Sequence, residues 1–103
     1  MGEELYGSRR RSPRVPCSLK GLFFSKDNFS RRIECLDISA HGARVSANEP
    51  LAVDSYAGLS LEARAYDVIT ALGKVCWCKK IGESWHAGIA FNREMAQPLE
   101  KVV

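Results

Sequence analysis

Short β-prone runs, each bounded by glycine, proline or polar residues, recur along the chain and limit its fold more than any other feature. They cover Cys17 to Phe24, Ile33 to Ile38, Ala43 to Ala47, Leu59 to Ala63, Tyr66 to Cys78 and Trp85 to Phe91. In three of them apolar and polar residues alternate strictly. Ala43, Val45 and Ala47 face away from Arg44 and Ser46; Leu59, Leu61 and Ala63 from Ser60 and Glu62; Trp85, Ala87, Ile89 and Phe91 from His86 and Gly88. The long run changes parity, with Val68 and Leu72 on even positions and Val75 and Trp77 on odd ones, which predicts a bulge or bend at Gly73. Six short strands hide their edges best by closing on themselves. The expected fold is therefore all-β: a six-stranded antiparallel β-barrel over residues 15–91, a flexible N-terminal arm over 1–14, and a short helical tail over 92–103. Asn92 can cap that helix, and Pro98 limits it to a turn or two or begins a second turn. The 103 residues suit one domain.

Charge is distributed unevenly. Met1 to Arg14 holds four arginines against two glutamates, whereas Val15 to Val103 holds eleven basic against ten acidic residues. The basic excess is thus concentrated where Arg9, Arg10, Arg11 and Arg14 lie together with no apolar residue to bury. A cluster of arginine without lysine favours planar, bidentate recognition of phosphate or of a guanine edge, although it also suits a solvated arm. No apolar run approaches the roughly 18 residues of a membrane span, and no apolar signal region precedes the first strand, so a cytoplasmic protein is expected. In that compartment the four cysteines should be thiols. Cys17, Cys35, Cys76 and Cys78 include no C-x-x-C pair, so a metal site is not expected, and they read as small hydrophobes in strands.

One segment gathers chemistry. In Asp37-Ile38-Ser39-Ala40-His41-Gly42, between two strands, burial of Leu36 and Ile38 on one side would aim Asp37 and Ser39 outward together. Gly42 would end the turn with a positive φ or a close backbone approach, and Arg44 would return to the same wet side. Plain turn chemistry accounts for Asp, Ser and Gly equally well when the segment is taken alone.

Arg10-x-x-x-Arg14, followed 23 residues later by Asp37-x-Ser39-x-x-Gly42, resembles the PilZ domain, a family of small bacterial barrels that bind the second messenger cyclic di-GMP. Gly42-Ala43-Arg44-Val45, Gly73-Lys74-Val75-Cys76-Trp77 and His86-Ala87-Gly88-Ile89-Ala90-Phe91 extend the likeness over about Arg9 to Phe91. The resemblance implies a cyclic di-GMP receptor in which Arg10, Arg14, Asp37, Ser39 and Gly42 meet the ligand, with Arg9, Arg11 and Arg44 as further candidates. The chemistry agrees. An arginine fork fits either the O6/N7 edge of guanine or a phosphate, and a carboxylate can accept from guanine N1 and N2 or orient an arginine. Ligand would order the arm across the barrel, and the altered surface would signal to a downstream protein that the sequence does not identify.

Other residues have plainer explanations. His41 reads as an exposed turn residue, His86 as a surface strand residue, and Trp77 and Trp85 as core before stacking planes. No nucleophile with a base and an orienting group is evident, nor a P-loop, so no enzyme and no cofactor are expected. Two other functions fit the same composition: a ligand-free PilZ-like protein adaptor, and an OB-like barrel for single-stranded nucleic acid. The near-neutral barrel weighs against the latter, and no DNA partner is expected.

Overall fold

A computed structural model describes residues 13–27, 29–63 and 67–95. Within them the alternating runs form β1 (Val15–Ser25), β2 (Ser30–Ile38), β3 (Gly42–Ala47), β4 (Tyr56–Glu62), β5 (Val68–Ile81) and β6 (Ser84–Phe91). All pairings are antiparallel, and the strands close in the order β1-β2-β3-β6-β5-β4. This is the six-stranded all-β barrel the alternation predicts. Closure gives each strand two neighbours and leaves no ladder unpaired.

The inward set is apolar, as period two requires: Phe23, Ile33, Cys35, Ile38, Val45, Leu61, Val75 and Ile89 are buried together. Leu51, from the β3–β4 connection, is buried with them, and its backbone N–H meets Cys78 Sγ at 3.5 Å. That connection is held by Asp54 N–H donating to Val75 O at 2.7 Å and by Val75 N–H donating to Ser55 O at 3.0 Å. The β5–β6 hairpin turns through Gly82 at φ 64°, a conformation glycine enters without steric cost.

Three expectations are corrected here. Along β5 the phase does not change at Gly73, because Ile69 and Val75 both point inward while Val68 and Leu72 are exposed. The register instead shifts between Val75 and Trp77, where Cys76 is one residue too many for β6. A bulge residue reverses the parity of everything after it, so Trp77 faces outward and is 39% exposed rather than core. The same device operates in β2. Its register against β3 shifts between Cys35 and Asp37, so Leu36 is the inserted residue and Ile38, without Leu36, follows Cys35 into the core.

The third correction concerns only the start of the tail. Asn92–Met95 begins no helix and instead runs along the barrel, with Asn92 N–H donating to Leu72 O and Met95 N–H to Ala40 O, both at 2.8 Å. Residues 96–103 and the arm over 1–12, including Arg9, Arg10 and Arg11, lie outside the described residues.

Candidate ligand-binding site

The two bulges act on one cross-strand row. Asp37 of β2 pairs with Arg44 of β3, Arg44 with Gly88 of β6, and Gly88 with Trp77 of β5. Without the extra residue at Leu36, the strand phase set by Ile33 and Cys35 would carry the carboxylate into the core. Without the one at Cys76, the phase of Val75 would carry the indole there. Bulging therefore places an acid, a guanidinium, an open backbone position and an aromatic ring side by side on the outer surface.

Asp37 anchors the row. Its side chain is 15% exposed, Arg44 Nε donates to its Oδ2 at 3.0 Å, and Arg14 Nη1 stands 4.0 Å from its Oδ1. Arg14 lies just before β1, where Pro16 pairs with Asp37, so the end of the arm is held beside the acid by strand register. The Arg14 side chain is 74% exposed and keeps most of its donors facing water. Arg44 donates Nε to Asp37, and its side chain is 41% exposed.

The turn between β2 and β3 is tighter than the sequence suggests. Ser39 N–H donates to Gly42 O at 2.8 Å, and the Ser39 hydroxyl accepts from His41 N–H at 3.3 Å. Ser39 is only 9% exposed, so its hydroxyl is drawn into the turn rather than standing outward beside Asp37. Gly42 does not have a positive φ; its lack of a side chain matters because a Cβ would stand 2.5 Å from Ile89 O of β6. Close strand approach is thus its local role. His41 Nε2 is 4.0 Å from Glu94 Oε2, on the outer rim.

Together Arg14, Asp37, Ser39, His41, Gly42, Arg44, Trp77 and Gly88 line a hollow of about 210 Å³. Of the residues singled out from the sequence, Arg14, Asp37, Ser39, Gly42 and Arg44 meet there, while Arg9, Arg10 and Arg11 are outside the described residues. Trp77 and Gly88 are additions. Their signal was present in the glycine at an outward position of β6, a gap in the strand surface that a neighbouring ring can cover. A larger hollow of about 1120 Å³ lies elsewhere, on β4 and β5, and contains no member of this row. The smaller one has the convergent polar groups that recognise a ligand.

The thiols are free. Cys35 is fully buried, and desolvation pushes its pKa well above the ordinary thiol value; burial also raises that of Cys17, partly offset by the hydrogen bond from Cys35. Cys76, at the bulge, is exposed and departs from the expected pattern of buried cysteines.

Comparison with known proteins agrees with this geometry. A family model described as PilZ domain matches residues 8–103. The barrel is similar to the solved PilZ domain with c-di-GMP of YcgR from Escherichia coli, with a TM-score of 0.70 and 14% identity, covering 88% of this chain and 82% of that one. It is also similar to the Bacillus subtilis inhibitor of motility MotI/DgrA, with a TM-score of 0.72 and 17% identity over 91% of this chain. This chain spans 47% of the B. subtilis protein. No curated protein matches it in sequence. The matched span takes in the end of the arm, the barrel and both halves of the Arg14 and Asp37 constellation, and the chain belongs to the PilZ domain family.

Proposed function

We propose that this protein is a cytoplasmic cyclic di-GMP receptor that acts by binding and carries no catalytic activity. The observation that carries the proposal is Asp37, held between Arg14 and Arg44 and aligned across four strands with Trp77. Each member suits one part of a cyclic guanine dinucleotide. Arg10 and Arg14 supply forks for a guanine edge or a phosphodiester, with Arg9, Arg11 and Arg44 adding charge nearby. Asp37 orients Arg44 and Arg14 and can accept from guanine N1 and N2; Ser39 fixes the turn and Gly42 brings it close to β6. Trp77 offers a ring face for stacking.

The hollow of about 210 Å³ is small beside the roughly 300–1,000 Å³ usual for ligand sites. Arginines brought in from residues 9–11 would complete the enclosure. Ligand held between those arginines and the outer face changes the protein's surface, and a downstream protein that distinguishes the two surfaces receives the signal.

Titration calorimetry with cyclic di-GMP, cyclic di-AMP and GTP tests the proposal. Cyclic di-GMP should bind about tenfold or more tightly than either competitor, because a bidentate guanine-edge contact is worth about 1–3 kcal/mol against the wrong base and GTP offers one guanine where cyclic di-GMP offers two. Equal affinity for cyclic di-AMP, or no heat with any of the three, would refute it. Preference for an oligonucleotide with steep salt dependence would indicate a nucleic-acid binder instead.

A further inference from the structure

Next to Arg44 the outer face of the barrel is nearly bare of side chains. Period two sends Gly42 of β3 and Gly88 and Ala90 of β6 outward, and all three line the hollow of about 210 Å³. Two hydrogens and a methyl group make a low floor along β6, over which a ligand can lie flat against the sheet.

A second cross-strand row bounds that floor. Gly42 pairs with Ala90, Ala90 with Lys74 of β5, and Lys74 with Tyr56 of β4. On β3 and β6 this row is two residues from the one that holds Arg44 and Gly88, so the two rows are neighbours on the same outer face. Paired Cα atoms stand about 5 Å apart. A lysine stem at position 74 therefore reaches the floor of the hollow simply by lying across Ala90.

The ammonium is already held at that edge. Lys74 Nζ is 3.7 Å from Asp54 Oδ1 and 5.9 Å from the centroid of the Tyr56 ring. Asp54 is fixed in turn, its N–H donating to Val75 O at 2.7 Å. The Lys74 side chain is 42% exposed and that of Asp54 78%, so the pair is weak and the ammonium can change partners at small cost.

A cyclic dinucleotide needs such a cation. Its two phosphodiesters lie on opposite sides of one ring, whereas Arg14 and Arg44 both converge on Asp37 at one end of the hollow. Among the described residues that line the hollow these two are the only lysines or arginines. A phosphodiester turned away from them, across Gly88 and Ala90, meets Lys74. Lys79 offers a contrast: it is exposed on the same strand, but it pairs with His86, which pairs with Ser46, and none of that row lines the hollow.

We propose that Lys74 is a ligand-binding residue whose ammonium turns from Asp54 to the second phosphodiester of the cyclic dinucleotide. This rests on the cyclic di-GMP reading above and adds the residue that meets the far phosphate. Asp54 is then the resting partner of the ammonium and competes with the ligand for it, while the Tyr56 ring keeps the stem at the edge of the floor.

Calorimetry with cyclic di-GMP on the full chain tests this. Lys74→Met should weaken binding about tenfold, the loss of one charge-assisted hydrogen bond, and Lys74→Arg should stay within about threefold of the parent. Lys79→Met, which removes the same charge from the same strand, should change affinity less than about twofold. Asp54→Asn should tighten binding about threefold in the parent and leave it unchanged in the Lys74→Met background, because the competition exists only while the ammonium does. All four positions changed are exposed pairs or single charges, and melting curves confirm that each variant is folded. Equal losses from Lys74→Met and Lys79→Met would reduce the effect to general charge and overturn the proposal, as would a gain from Asp54→Asn that persists without Lys74. A parent that binds while Lys74→Met keeps full affinity overturns this inference alone; a parent that takes up no cyclic di-GMP overturns the reading beneath it as well.

Discussion

The indole of Trp77 and the missing side chain of Gly88 are complementary: a Cβ at Gly88 would fall on the indole nitrogen and its neighbouring ring atoms. Trp77 reaches that position because Cys76 bulges out of register, and it stays there because β6 presents bare backbone beneath it. The aromatic wall of the site is thus specified by two residues on different strands, neither of which could create it alone.

Gly88→Ala should therefore act as a displacement of Trp77. The ring is partly exposed and can swing outward, so stability should fall by about 1 kcal/mol, the low end for overpacking. Tryptophan emission should shift to the red as the ring meets water, and cyclic di-GMP affinity should fall about tenfold, one stacked base being worth about 1–3 kcal/mol. Fluorescence with calorimetry checks this; a displaced ring with unaltered affinity would remove Trp77 from the ligand's contacts.

Asp37→Ala should separate recognition from folding. The acid's partners are largely or partly exposed, and such ion pairs contribute about 0–1 kcal/mol, so the melting temperature should drop by only a few degrees. Losing the group that orients Arg44 and Arg14 should cost about tenfold or more in ligand affinity. Arg14→Ala should give a similar loss with a still smaller effect on stability. Full affinity in either folded variant would assign the constellation to the fold alone.

Gly42→Ala should behave in the opposite way. Its Cβ would press on Ile89 O at 2.5 Å, a backbone atom that cannot swing aside, so the β3–β6 ladder must open. A stability loss of about 2–3 kcal/mol is expected by urea unfolding, before any question of ligand arises. A variant as stable as the parent would show that β6 has room to give.

The cysteines should differ in reactivity and give the barrel an alkaline limit. Exposed Cys76 should alkylate first, and Cys35 only on unfolding, because burial holds its thiol protonated. Between the ordinary thiol value of 9.0 and its raised folded value, Cys35 is protonated in the fold and ionised in the unfolded chain. The folded state then binds more protons, so this contribution to stability is fully present below pH 9.0 and declines as pH rises above it. Urea midpoints from pH 7 to 10.5 should fall at the alkaline end, and less steeply in Cys35→Ala; identical slopes would exclude Cys35 as the cause.

Short β-prone runs bounded by turn residues were enough to find all six strands, and in three of them strict alternation also gave the buried face, because a half-buried strand repeats its apolar residues every second position, as Val45 and Leu61 do. The Arg14 and Asp37 half-motifs were legible for a related reason: short polar residues beside a turn are cheap to place outward, and arginine in an arm with no apolar partner stays in water. Bulge positions were not legible. Leu36 and Cys76 are ordinary strand residues whose neighbours would read equally well in phase, and only the register demanded by β3 and β6 makes one of them surplus.

What the sequence determined by itself was the number and alternation of the strands, the clustering of arginine ahead of the first, and the residue types at the β2–β3 turn, all properties fixed within a few neighbouring positions. The tertiary structure alone decided that Trp77 faces outward, that Ser39 turns inward, that Gly42 serves a neighbouring strand and that Asp37 comes between Arg14 and Arg44. Each of these depends on how one strand registers or packs against another, and register is a pairwise quantity that no single run of residues contains.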